Sequence, residues 1–428
     1  MKVYLATFGC RANQYDSEAV RSMVLAGGGE MADSASDADV AVFNSCAVTA
    51  DAEADLRQSV RRSARMNPQL RSFVMGCASA LELGDRGSRP ASMRISALPS
   101  VEGLLEGADL DALALSIGIP RPLTGARVPQ TGARGLLRIQ DGCAEHCTFC
   151  ATTIARGASR SRAAESLVEE ARFLAERHAE IVITGVHIGS YGADTGSTLG
   201  ELVERLVTEI PGVRFRLSSL EATEVDDALA ELFAGAPGRL APYLHAPLQS
   251  GSDNVLKRMG RHWYTAASYR AAVERIAKRS PVFGLGADVI AGFPGETRDD
   301  HLATLALVND LPFTSLHVFP FSVRPGTAAE KLAGRLNGGV VAGRARDLRE
   351  LAARKQRAHL ARRNGGAADV VVVAGGTAGK GITEDYLTVG VSGSRPARGD
   401  RFRARLEMTG DSLTAIADVG EPVHYANQ

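Results

Sequence analysis

Gly142-Cys143-Ala144-Glu145-His146-Cys147-Thr148-Phe149-Cys150 is the stretch on which the reading of this chain turns. Its C-x3-C-x2-C spacing sets Cys143, Cys147 and Cys150 in one loop, directly after the strand-like run Leu136–Gln140. A cubane four-iron cluster normally takes four thiolates. Three leave one iron open, and an open position is where a small molecule coordinates. A structural zinc site would instead close with four ligands, usually in paired C-x2-C units, and His146 is the local residue that could complete it.

Downstream of the loop, strand-like and helical runs alternate. Leu136–Gln140, Ile181–Thr184, Arg214–Ser218, Tyr243–Ala246, Phe283–Ile290 and Ser315–Phe319 read as strands. Amphipathic stretches such as Ala163–Ala179, Leu199–Glu209 and Ala267–Ala277 separate them. Six βα units in succession predict an incomplete barrel, with chemistry at the strand ends. Polar or glycine-bearing clusters stand there: Thr184-Gly185, Ser218 to Glu221, Leu248 to Ser252 around Gln249, and Asp288 to Glu296 around Ile290 and Gly292. Each taken alone also reads as a turn or a helix cap.

Upstream, Lys2–Phe8, Val40–Asn44, Phe73–Gly76 and Met93–Leu98 read as strands of a mostly parallel sheet, with helices over Ser17–Ala26 and up to Met66. Cys10, Cys46 and Cys77 each follow one of the first three strands. In open α/β sheets the strand carboxyl ends share an edge, which gathers distant thiols. Three unrelated buried thiols is the competing reading. A Pro- and Gly-rich linker covers Gly118–Arg134, a basic helix Arg344–Arg363, and a small antiparallel β-domain the remainder. The expected divisions are 1–117, 130–363 and 367–428. With 49 basic and 49 acidic residues the net charge is zero, so a polyanion must be held by a local basic patch. No run of about 18 apolar residues predicts a membrane span. No signal-peptide pattern opens the sequence, and a cytoplasmic protein is expected. In that compartment the six cysteines point to metal or catalysis rather than disulfides.

The central loop closely resembles the signature of the radical S-adenosylmethionine (SAM) superfamily. The resemblance implies a cluster whose open iron chelates SAM and whose electron cleaves it to a 5′-deoxyadenosyl radical. It implies that Phe149 packs near the adenine, that Thr184-Gly185 meets the methionine amino group, and that Ile290 and Gly292 lie against the adenine. Ser218, Glu221 and Gln249 are further candidate SAM or substrate contacts. Thr7–Glu18, Phe43–Thr49, Met75–Cys77, Ala155–Arg162, His245–Asp253 and Leu256–Met259 extend the likeness to the methylthiotransferase family over nearly the whole chain. That family implies a second [4Fe-4S] cluster, on Cys10, Cys46 and Cys77, as the sulfur site. It also implies an RNA-binding TRAM-like carboxy-terminal domain, a tRNA substrate, a sulfur source, and an electron donor such as flavodoxin or ferredoxin.

Asn13-Gln14-Tyr15, Cys46-Ala47-Val48-Thr49 and Thr184 to Gly192 resemble the branch acting on N6-threonylcarbamoyladenosine 37 of tRNA. His187 and Tyr191 in the last string read as substrate contacts or as packing. The isopentenyladenosine branch, a branch modifying a ribosomal-protein aspartate, and a non-enzymatic metal-stabilised RNA-binding protein are the alternatives. Two departures stand out. Ala151-Thr152-Thr153 replaces the family's apolar pair and proline, and Ala222 follows Glu221 where proline is common. The carboxy-terminal domain is only weakly basic, so the helix Arg344–Arg363 and the loop Arg156–Arg162 are the expected phosphate contacts.

Overall fold

The computed structural model describes residues 1–47, 50–84, 94–120, 128–376, 379–393 and 397–417. They form two compact units, the first made of Met1–Thr131, Asp141–Arg160 and Ser322–Glu330, the second of Gly132–Gln140, Ser161–Phe321 and Lys331–Gln428. These units cut across the divisions read along the sequence, because the cysteine loop goes with the amino-terminal sheet.

The first unit is built on strands β1 (Lys2–Thr7), β2 (Glu30–Ala32), β3 (Val40–Ser45), β4 (Arg71–Gly76) and β5 (Val101–Leu104). They form a parallel sheet of order β2-β1-β3-β4-β5. Its helices are α1 (Arg11–Ala26), α2 (Ala50–Met66), α3 (Cys77–Gly84), α4 (Leu110–Ile117) and α5 (Thr152–Arg156). Strand β3 is buried at every residue, as a parallel strand covered on both faces must be. Its alternation sorts the two cores. Ala41 and Phe43 pack with Leu56 and Val60 of α2, whereas Val40 and Val42 pack with Val20 and Val24 of α1.

Three elements depart from expectation. Helix α1 starts at Arg11 rather than Ser17, because its polar first turns bury Asn13 and Asp16 instead of an apolar stripe. Edge strand β2 lies where the sequence predicts no strand. Of the strand expected at Met93–Leu98, Met93 lies outside the described residues and the rest runs through turns. There Ile95 and Leu98 plug the core, while the Glu82 carboxylate takes the Ile95 and Ser96 amides that a strand would have used.

The second unit begins with β6 (Gly135–Arg138), and the short strands β7 (Gln140–Asp141) and β8 (Arg160–Ser161) mark where the chain changes units. Then come α6 (Ala164–Ala175), β9 (Glu180–Thr184), α7 (Leu199–Glu209), β10 (Arg214–Leu217), α8 (Asp227–Gly235), β11 (Tyr243–His245), α9 (Asp253–Arg258), α10 (Ala266–Ala277), β12 (Gly284–Ala291), α11 (Arg298–Asp310) and β13 (Ser315–Pro320). The six long-spaced strands form two parallel three-stranded sheets, β10-β9-β6 and β11-β12-β13. Single bridges, Phe215 to Leu240 and Ser219 to His245, join them into the partial barrel. Leu285, Ala287, Val289 and Ala291 of β12 enter the core under the helices, so Gly284, Gly286, Asp288 and Ile290 face the lumen.

Helix α12 (Gly338–Arg363) leads into β14 (Ala367–Ala374), β15 (Gly379–Thr383), β16 (Thr388–Ser392), β17 (Arg401–Thr409) and β18 (Ser412–Ala417). These five close into a barrel that is antiparallel except at the parallel β16–β18 pair. The small barrel sits at the amino ends of the large barrel's strands. Glu180 opens β9 and bonds Arg214 and Arg216, which open β10, at 2.6 and 2.9 Å. Arg216 also donates to the Thr383 and Glu384 carbonyls, and Arg214 to that of Asp369. Tyr386 stacks on Tyr243 with ring centroids 4.5 Å apart. Against the desolvation of full burial, Arg216 and Arg214 hold the Glu180 carboxyl well below its usual range.

Replacing Glu180 by Gln takes the shared carboxylate from two buried guanidinium groups and leaves Arg214 with Asp369, 3.2 Å away, at a cost of about 3 kcal/mol or more. Thermal or urea unfolding of E180Q should show that loss, with the β14–β18 barrel losing hydrogen-exchange protection first.

Candidate active site

The first unit gathers both sets of cysteines. Strands β1, β3 and β4 are neighbours, so the residues just past their carboxyl ends meet at one edge: Cys10 caps α1, Cys46 follows β3, and Cys77 opens α3. Asn13 and Asn44 interlock the first two positions. The Asn13 amide donates to Asn44 Oδ1 (2.8 Å) and the Ser45 carbonyl, and the Asn44 amide donates to the Asn13 carbonyl and Ser17 Oγ. Gly9 (φ +112°) lies so close that a Cβ there would fall 2.5 Å from Cys46 Cβ. Gly76 (φ +91°) is similarly confined, with a Cβ 2.4 Å from the Ser45 carbonyl. A glycine before each of two cysteines is therefore a geometric need of the thiol site.

Burial pushes the Cys77 thiol up to about 11, and the charges of Cys10 and Cys46 add to the rise while Arg156 opposes it. Three thiols gathered at one edge are a donor set that suits a metal cluster, whose cations would offset the repulsion that Cys10 and Cys46 exert on Cys77. Arg156 was read in the sequence as a phosphate contact. It is instead buried: Nη2 bonds Asp16 at 2.8 Å, Nη1 bonds Asp141 at 3.0 Å, and Nε lies 3.4 Å from Cys77 Sγ.

Cys143, Cys147 and Cys150 are half-exposed in their loop, and half-buried Phe149 lies between the last two. The loop is fixed at both ends. The Cys143 amide donates to the Gly157 carbonyl, the Ala329 amide to that of Thr148, and Gly142 (φ +73°) leaves no room for a Cβ beside Ala158. The Glu145 amide points at Cys143 Sγ and the Thr152 amide at Cys150 Sγ, each at 3.4 Å. The departure at Thr152-Thr153 carries its own stiffening: Thr152 Oγ1 lies 3.0 Å from Cys150 Sγ, and Thr153 Oγ1 donates to the Glu145 carbonyl. Three half-exposed sulfurs without a fourth cysteine fit a cluster with an open corner.

In the second unit, the remaining candidates stand at the carboxyl ends of the barrel strands. Thr184 ends β9 and is buried, and Ser218 lies beside it, its amide on the Ile183 carbonyl. Ser218 Oγ is buried without a hydrogen-bond partner among the described residues. Gly185 is needed because a Cβ would press on Gln140, whose Oε1 accepts the Val186 and His187 amides. Gln249 holds a left-handed backbone (φ 61°), clamped on both sides by β12 through the Asp288 carbonyl and the Ile290 amide. A non-glycine residue there is strained, and such strain concentrates at functional sites. Half-buried Ile290 is its neighbour.

Two candidates are occupied by the fold. The Glu221 carboxylate is engaged by Arg261 and the Trp263 indole, so it is a positioning group within the wall. Gly292 (φ +77°) is constrained by Val341, 2.6 Å from a would-be Cβ, and its amide bonds Glu296. Likewise His187 pairs with Glu224 at 2.7 Å, and Tyr191 is core, its hydroxyl donating to the Arg162 carbonyl. The basic helix α12 is also partly spent: Arg344 bonds Glu296, and Arg363 bonds Glu384. Arg346, Arg354 and Arg357 remain exposed.

A group that sequence reasoning missed lies in the barrel lumen. His245 Nε2 and His317 Nδ1 both meet Asp288 Oδ1, at 3.1 and 3.2 Å. Against the desolvation of burial, these two hydrogen bonds hold the Asp288 carboxyl well below its usual range. The bond to Asp288 in turn raises His317.

Comparison with known proteins matches residues 2–88 to the uncharacterized protein family UPF0004 and residues 137–308 to the radical SAM superfamily. The chain is 34% identical over 342 residues to the threonylcarbamoyladenosine tRNA methylthiotransferase MtaB of Thermotoga maritima, covering 78% of this chain and 77% of that protein. The chain belongs to the radical SAM methylthiotransferase family. The Bacillus subtilis MtaB is 35% identical, over 77% of this methylthiotransferase and 76% of its own length. A tRNA-2-methylthio-N(6)-dimethylallyladenosine synthase of Cereibacter sphaeroides is 33% identical over 98% and 99%. Among solved structures, the radical SAM methyltransferase TsrM of Kitasatospora setae shares the fold, at 14% identity and TM-score 0.51 over 74% of this chain and 72% of that one. Membership in the radical SAM family implies SAM and iron–sulfur chemistry. No described helix is long and apolar enough to cross a membrane.

Two outcomes follow from this geometry. Because the buried Arg156 pairs with both Asp16 and Asp141, R156M should unfold more easily by about 3 kcal/mol, read by urea denaturation. His317 should keep its proton above the ordinary 6.5, and D288N should bring its titration, followed by imidazole NMR shifts, back down.

Proposed function

We propose that this methylthiotransferase inserts a methylthio group at C2 of N6-threonylcarbamoyladenosine 37, beside the anticodon of tRNA. One observation carries the chemical part. A single compact unit holds two separate three-cysteine sites, Cys10, Cys46 and Cys77 at the sheet edge and Cys143, Cys147 and Cys150 in the loop, with Arg156 bonded to the first and grown from the helix that ends the second. Relatives named for the threonylcarbamoyl substrate, and the local strings around Asn13 and Thr184, support the substrate part.

Each cysteine trio would hold one [4Fe-4S] cluster, the loop cluster supplying the electron that cleaves SAM and the sheet-edge cluster supplying a site for the sulfur to be methylated and transferred. The residues of the chain do the rest. Asn13 and Asn44 fix the spacing of Cys10 and Cys46, and Arg156 offsets thiolate charge at Cys77. Phe149, Thr184, Gly185, Ser218, Gln249 and Ile290 are the surfaces offered to SAM and the nucleoside, with Glu221 and Gly292 shaping the wall. The exposed arginines of α12 and the carboxy-terminal barrel would hold tRNA phosphates. An electron donor of the flavodoxin or ferredoxin class and a sulfur source complete the reaction, in the cytoplasm. In this reading residues 1–117 carry the sulfur site, 130–363 the SAM chemistry and 367–428 an RNA-binding TRAM-like domain.

Anaerobically reconstituted protein should contain about eight irons per chain, with C46A and C147A each retaining about four. Transfer RNA from cells lacking the protein should lose the 2-methylthio nucleoside and accumulate N6-threonylcarbamoyladenosine. Accumulation of isopentenyladenosine instead would move the enzyme to the other tRNA branch.

A further inference from the structure

The two tRNA substrates found among the relatives differ in one chemical respect that a protein can read. The threonylcarbamoyl group carries a carboxylate and a hydroxyl, whereas the dimethylallyl group is hydrocarbon. Identity to relatives of either kind is nearly the same, 34% to the Thermotoga maritima protein and 33% to the Cereibacter sphaeroides one, so overall identity does not tell the two substrates apart.

Strand β13 supplies a suitable one. Leu316 and Val318 pack against the core, which turns His317 and Phe319 to the lumen. The register sets Asp288 of β12 opposite His317 and Ile290 opposite Phe319. The His317 side chain is 63% exposed, although Asp288 fixes it through Nδ1. Its other nitrogen, Nε2, has no hydrogen-bond partner among the described residues, so the edge of the ring is offered outward. Its companion His245 is spent at both nitrogens, Nε2 on Asp288 and Nδ1 3.3 Å from the Tyr243 hydroxyl. Gly286 makes that packing possible, since a Cβ there would fall 2.3 Å from Tyr243 Oη and 2.7 Å from His245 Nδ1. Asp288 is thus covered by two imidazoles, and the polar atom facing a ligand is a donor on His317. Phe319, edge-on to His317 with ring centroids 6.4 Å apart, gives an exposed aromatic face next to it.

We propose that His317, braced by Asp288 and His245, reads the carboxylate of the threonylcarbamoyl group and so selects that nucleoside over an alkylated adenosine. The inference rests on the substrate reading given under Proposed function. A hydrogen bond from an imidazolium to a carboxylate is charge-assisted and directional. A dimethylallyl group would leave the same donor facing hydrocarbon, which costs its solvation. Discrimination on the order of tenfold or more follows from one such bond.

The test measures binding of the reconstituted holoprotein to three labelled anticodon stem-loops, bearing threonylcarbamoyladenosine, isopentenyladenosine or plain adenosine at position 37, by fluorescence anisotropy. Wild type should bind the first at least about tenfold more tightly than the second. H317F should bring that ratio close to one, and H317R, which keeps a cationic donor, should keep most of it. If H317F fails to load iron, H317Q, which keeps a polar side chain of similar reach without the charge, carries the same comparison. A wild-type preference that survives in both H317F and H317Q overturns the assignment of His317 and leaves the substrate reading intact. A wild type that favours the isopentenyl loop overturns both.

Discussion

Arg156 is the pivot of the first unit. It is the last residue of the short helix that follows the cysteine loop, and its side chain is 3% exposed. A guanidinium buried this deeply is tolerable only when its donors are taken. Asp16 from α1, Asp141 from the start of the loop segment and Cys77 from α3 take them. The cysteine loop is thereby tied to the sheet edge that carries the other three thiols. Glycines at 9 and 76 and the Asn13–Asn44 interlock then remove the freedom left to that edge. Thiols separated by up to 67 residues come together because parallel neighbours end on the same side.

The second unit solves a related problem at its floor. A partial barrel leaves the amino ends of its strands open, and polar side chains there must be satisfied. Glu180, Arg214 and Arg216 form a charged cluster that is fully buried, and the carboxy-terminal barrel supplies carbonyls to both arginines. Burial of such a cluster contributes little net stability, but removing a partner is costly, so it fixes which surface docks. The weakly basic character of the small barrel has a physical reading in this light. Several of its acids, Asp369, Glu384 and Asp385, are internal partners for Arg401, Arg363 and His359 and do not face a polyanion.

The strand–helix order, the placement of the two cysteine trios and the strand-end placement of most candidate residues were legible because they depend on local pattern: short apolar runs, cysteines just past them, and spacing. What was not legible depends on long-range partners. Met93–Leu98 has a strand's composition, yet Glu82, whose link to it is tertiary, takes its amides. Arg156 reads as one basic residue in a basic loop until Asp16, 140 positions away, is seen beside it. Glu221 reads as a candidate SAM or substrate contact, and only the fold shows that Arg261 and Trp263 engage it; Tyr191 reads as a contact or as packing, and its ring lies in the core. The lumen trio escaped for the same reason, since His245, Asp288 and His317 lie on three strands and acquire meaning only once register is fixed.

Register also explains why similarity in this family says more about reaction than about substrate. Along β12 and β13, every second side chain enters the core beneath the helices, and the residues between them face the lumen. Core positions are numerous and bound by packing. The lumen positions are few, and a change at one of them alters what the barrel can hold without disturbing the layer behind it. Two relatives can therefore match this chain equally well overall while differing at a few lumen positions.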